Sequence, residues 1–166
     1  MRHEKRSVII GHTLMMHDPR IEFCGEGDFV KFVAILDKPD GRDVIAYVQG
    51  LVEENETGLL GDIHVEEQIK VAGGFFGLIK VPQSPRNRGI GSLLLLRFES
   101  EMAARGVRQL SGNLPNERPE VIECLVRWYE NRGYQVILDS NFERNQARFS
   151  GKITKSLIYS STSNIL

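Results

Sequence analysis

The stretch Val81-Pro82-Gln83-Ser84-Pro85-Arg86-Asn87-Arg88-Gly89-Ile90-Gly91-Ser92 constrains this chain more than any other. Before it, Phe75-Phe76-Gly77-Leu78-Ile79-Lys80-Val81 reads as a buried strand ending at Pro82. After it, Ile90, Leu94, Phe98 and Met102 recur every fourth residue, the stripe of a helix that Gly106 stops. Glycines at 89 and 91 let successive backbone N–H groups turn into one hollow. The helix N-terminus behind them adds about half a positive charge, and Arg86 and Arg88 add whole charges. Such a loop is built to hold a phosphate or a pyrophosphate.

Two nucleotide readings fail on residues. A Walker-type loop needs Gly-Lys-Ser/Thr at the helix start, but here Gly91 is followed by Ser92-Leu93. A dinucleotide fingerprint needs a third glycine where Leu94 stands, and an acidic residue ending the next strand, which Val107–Gly112 does not offer.

The rest of the chain supplies the frame. Val8–Met15 and a short piece around Ile21–Cys24 read as extended. Phe29–Leu36 and Val44–Val52 form a hairpin across Pro39-Asp40-Gly41, and Leu60–Glu66 continues as an alternating strand. Val107–Gly112, Tyr134–Leu138 and Arg148–Leu157 read as further strands. Pro119 opens a second helix with the stripe Val121, Ile122, Leu125, Val126 and Tyr129, ended by Gly133. This order predicts an α/β (α+β) architecture: an antiparallel meander, then crossover units. With 166 residues, 41% of them hydrophobic, the chain reads as one domain over 1–166, with residues 1–27 an atypical N-terminal segment.

Charge narrows the partners. The net charge of −1 argues against nucleic acid. Residues 1–80 carry 9 Lys/Arg against 14 Asp/Glu, whereas residues 81–166 carry 12 against 8, ten of the twelve being arginine. A local basic site for a small phosphorylated ligand fits that distribution. No apolar run spans a bilayer, and Val8-Ile9-Ile10 is too short for a signal core, so no membrane and a cytoplasmic location are expected. Cys24 and Cys124 read as half-buried reduced thiols. The histidines lack metal-ligand spacing, so no metal is expected.

Arg86-x-x-Gly89-x-Gly91, with a valine five residues before the arginine, resembles the coenzyme A pyrophosphate loop of the GNAT superfamily of N-acetyltransferases. Trp128-Tyr129-Glu130-Asn131-Arg132-Gly133-Tyr134 is similar to that family's second signature, Phe/Trp-Tyr-x-x-x-Gly-Phe/Tyr, and lies on the next helix. The likeness covers residues 75–138, the expected coenzyme A-binding core. It implies a mixed, mostly antiparallel, splayed central sheet flanked by helices. The family's asparagine seven residues before the tyrosine is replaced here by Ile122, and the two helices that usually follow the first strand have no counterpart in residues 16–50.

The resemblance implies transfer of an acetyl group from acetyl-CoA to a primary amine of a small molecule or peptide, directly in a ternary complex. Ile79, Lys80 and Val81 would pair with the pantetheine arm, and Arg86, Asn87, Arg88, Gly89, Ile90, Gly91 and Ser92 would hold the diphosphate. Tyr129 stands at the general-acid position, its phenol protonated at neutral pH. Glu66 and His64, with Asp62 beside them on one strand face, are the candidate bases. Trp128 and Tyr134 read as core. The missing substrate-side wall falls to the acidic N-terminal meander or to a partner subunit in a homodimer. A non-catalytic acyl-CoA-binding sensor or regulatory module is the alternative.

Overall fold

Alternation of apolar and polar residues builds the first half of the molecule as an antiparallel meander. In a computed structural model, which describes residues 19–38, 41–73, 79–139 and 149–157, β1 (Arg20–Phe23), β2 (Phe29–Lys38), β3 (Gly41–Val52) and β4 (Thr57–Val65) follow one another in this way. The Glu53–Gly58 segment turns tightly. Asn55 and Glu56 take φ values of 57° and 58°, and the Glu53 N–H donates to the Thr57 carbonyl at 2.9 Å. Val8–Met15 lies outside the described residues.

The second half threads back through the same sheet. Helix α1 (Ile90–Ala104) leads to β7 (Gln109–Pro115), helix α2 (Pro119–Glu130) to β8 (Gln135–Leu138), and β9 (Phe149–Ser156) closes the order. Among the described residues seven strands form one mixed sheet in the order β1-β2-β3-β4-β7-β9-β8, in which β4 and β7 pair in parallel and the other neighbours antiparallel. The expected α1 stripe of Ile90, Leu94, Phe98 and Met102 is buried, joined by Leu95, against Val30, Ile45, Val48 and Leu60 of the sheet. Burying each such side chain contributes about 1.5–3 kcal/mol, which fixes α1 on one face of β2–β4. Among the described residues no helix is long and apolar enough to cross a membrane.

One strand assignment needs correction. Residues 79–83 are a strand, β6 (Ile79–Gln83), but it pairs antiparallel with β5 (Ile69–Gly73) in a separate two-stranded sheet. Pro82 stands inside it, opposite Lys70, and does not end it. The strand that lies in the main sheet parallel to β7 is β4, so β5 and β6 come in the chain between that strand and the Arg/Gly loop. Residues Phe75–Leu78 lie outside the described residues.

Candidate active site

The sheet opens at the parallel pair of β4 and β7. Thr57, Gly58, Leu59 and Leu60 of β4 face Gln109, Leu110, Ser111 and Gly112 of β7, and the pairing stops there. Beyond Leu60, β4 follows β3 to Val65, while β7 follows β9 to Pro115. A β-bulge marks the departure point. Gln49 pairs with Asp62 and Gly50 with Leu60, so Gly61 has no opposite number. A bulge adds local twist to its strand, which turns the end of β4 away from β7.

A cavity of about 650 Å³ occupies this corner, within the usual range for a small-molecule site. Ile63, His64 and Val65 of β4 form one wall. A second wall is the loop from Pro85 to Gly89 with the first turn of α1. Asn87 and Gly89 both take left-handed φ values, 63° and 78°, which bend the chain into the helix. No side chain caps α1 and its first turn holds no acidic residue, so its leading N–H groups remain available to a ligand. Arg86 donates from Nε to the Val65 carbonyl at 3.3 Å and pairs with Glu67 at 3.2 Å, tying the loop to the end of β4. Arg88 is exposed and does not line the cavity.

The third wall is one face of α2. Val121, Cys124, Leu125 and Trp128 line the cavity at the spacing of a single helical stripe, and Arg132 extends it past the helix end. Trp128, read from sequence as core, is half-buried and belongs to the cleft. Cys124 and Cys24, expected to be half-buried, are both exposed.

No family model matches the chain, and no curated protein matches it. Solved structures do. A putative acetyltransferase of the GNAT family from Desulfovibrio desulfuricans is 16% identical, with 79% of this chain and 70% of that one covered at a TM-score of 0.54. Nourseothricin acetyltransferase is 18% identical, with 85% of each chain covered at 0.53. Aminoglycoside 6'-acetyltransferase type Ii is 17% identical, with 81% and 72% covered at 0.52. The fold is that of the GNAT acetyltransferases.

On this GNAT fold the sequence-derived site residues divide. Arg86, Asn87, Gly89, Ile90, Gly91, Ser92 and His64 come together in the cavity lining. Ile79, Lys80 and Val81 belong to the two-stranded sheet, and the strand at the opening of the main sheet is β4. His64 Nε2 lies 3.6 Å from Glu66 Oε1, so the two candidate bases are neighbours, although Glu66 does not line the cavity. Tyr47, which the sequence did not single out, stacks on His64 with ring centroids 5.5 Å apart and donates its hydroxyl to Asp62 at 2.6 Å. That hydrogen bond, followed by burial, raises the Tyr47 pKa.

Tyr129 is buried and is not part of the cavity lining. It packs edge-to-face on Trp128 and on Tyr134, with centroids 4.8 and 5.2 Å away. Burial, and then the nearby Asp62 carboxylate, push its phenol up to about 12. Tyr134, expected in the core, is buried and donates to Glu99 at 2.9 Å. Among the described residues no three His, Cys, Asp or Glu side chains group as a metal site. Arg132 also lines the cavity, a place the sequence did not assign to it. Its signal was there: it follows Trp128 by four residues on the stripe that faces the cleft.

Proposed function

We propose that this chain is an N-acyltransferase that moves an acetyl group from acetyl-CoA to a primary amine within a ternary complex. The observation that carries the reading is the parting of β4 and β7 after Leu60 and Gly112, beside the uncapped N-terminus of α1. The loop amides of Gly89–Ser92, with Arg86, suit a diphosphate. The apolar α2 stripe suits the flexible arm that follows it. The backbone of Ile63–Val65 takes the pairing role that the sequence alone gave to Ile79–Val81, because it is β4 that loses its neighbour at the opening.

Tyr129 keeps the donor role through its match to the second signature and its nearness to Asp62. A phenol near 12 is protonated at every physiological pH. Full transfer to a thiolate of pKa about 8.5 would run uphill, so Tyr129 acts by hydrogen-bonding the departing sulfur. His64, backed by Glu66, is the base that relieves the attacking ammonium of its proton. The excess of carboxylates in residues 1–80 favours a cationic acceptor. The likeness to the aminoglycoside and nourseothricin enzymes puts polycationic amines in the test panel.

Burial of Tyr129 outside the cavity lining supports a second reading, a domain that binds acyl-CoA without turnover. A thiol-release assay over polyamines, amino acids, aminoglycosides and peptides separates the two. Turnover with a cationic amine is expected, and Tyr129→Phe should lower kcat about a hundredfold or more while leaving acetyl-CoA affinity intact. Binding of acetyl-CoA with no turnover on any amine supports the sensor, and absence of binding rejects both.

A further inference from the structure

Arg132 sits where a cation is electrostatically out of place. Its guanidinium donates to the Ser92 hydroxyl in the first turn of α1 and to the Trp128 carbonyl at 2.6 Å, and it lies 4.1 Å above the Trp128 ring. The first turn of a helix is its positive end, which favours acids and disfavours guanidinium groups. Yet α1 carries no acidic residue in that turn, and among the described residues no carboxylate pairs with Arg132. The stacking and the two hydrogen bonds hold the charge there, half-buried in the cavity wall.

The cavity's other guanidinium is differently placed. Arg86 donates to the Val65 carbonyl and has the Glu67 carboxylate beside it as counter-charge. Arg132 spends the same number of its five N–H donors, two, on the described residues, but has no carboxylate among them. A planar fork of donors, immobilised beside the uncapped first turn of α1 with no counter-charge among the described residues, has the form of a phosphate receptor.

We propose that Arg132 is a phosphate-binding residue that closes the diphosphate cradle from the α2 side, opposite the Arg/Gly loop. The inference rests on the reading of this cleft as a coenzyme A site. It assigns a cofactor contact to the residue just before Gly133, outside the loop that the sequence pattern marks.

Titration of the full chain and its Arg132→Gln and Arg132→Lys variants with coenzyme A, and with pantetheine, which lacks the diphosphate, tests it. Arg132→Gln should weaken coenzyme A about tenfold or more, while pantetheine affinity stays within about twofold. Arg132→Lys, which keeps the charge but not the fork, should fall between wild type and Arg132→Gln. An equal loss for both ligands would make Arg132 a structural brace, and no loss for either would remove it from the site; both overturn the proposal. If wild type itself binds coenzyme A no better than pantetheine, the cleft does not hold a diphosphate, and the broader reading fails instead.

Discussion

Leu60 and Gly112 form the last rung between β4 and β7, and they meet closely enough that only glycine fits at position 112. A Cβ there would stand 2.9 Å from the Leu60 carbonyl oxygen and 3.1 Å from Ile153. The hinge of the open sheet is therefore a backbone-to-backbone contact. Gly112→Ala should push the strands apart at the point where the cleft begins. A loss of about 1–3 kcal/mol is expected, read as a lower melting temperature. Weaker acetyl-CoA binding in the variant at a temperature where it is still folded would tie the rung to the site.

Glu99 is a buried carboxylate on α1 held by Tyr134 at 2.9 Å and by Lys155 of β9 at 2.7 Å. Removing one partner strands the charge. Lys155→Met should cost about 3 kcal/mol in chemical denaturation. Adding Glu99→Gln to that variant should recover a substantial part of the loss, and a double variant no more stable than Lys155→Met would show that the ion pair is not the source.

Three tyrosines set an alkaline limit. Tyr129 is raised from 10.0 to about 12, and Tyr47 and Tyr134 are raised too, Tyr134 chiefly by burial and then by Glu99. A folded-state pKa above the unfolded one means that the native state holds the proton more tightly. Its contribution is complete below pH 10.0 and fades as pH climbs towards about 12. Melting temperature should fall over that interval together with the rise of tyrosinate absorbance. Tyr129→Phe should flatten part of the decline.

Cys124 lines the cavity and Cys24 does not, although both thiols are exposed. Alkylation followed by mass spectrometry gives a paired readout within one molecule. Acetyl-CoA should slow modification of Cys124 several-fold and leave Cys24 unchanged. Equal rates at Cys124 with and without acetyl-CoA would place the ligand elsewhere.

The helices were legible because their signals are local. Every fourth residue of Ile90–Met102 is apolar, Pro119 sits at a helix start, and Gly106 and Gly133 take the left-handed φ values of helix ends, 88° and 81°. The choice of sheet strand was not legible. Phe75–Val81 is more continuously apolar than Thr57–Val65, whose Asp62 and His64 read as a solvated face. What decides the matter is register: β4 is already paired along β3 from Ala46 to Val52, and no pattern within residues 75–81 reveals that. Arg132 was hidden for a related reason. A cation just past a helix end reads as complementing that helix's own dipole, whereas its partner is the first turn of another helix forty residues earlier.

Backbone hydrogen exchange with and without acetyl-CoA tests the central claim most directly, since both the strand end and the loop would be covered at once. Slowed exchange over residues 61–65 together with 86–92 is the predicted result. Unchanged exchange at 61–65, with slowing confined to 79–83 or absent throughout, would contradict a ligand seated where β4 leaves β7.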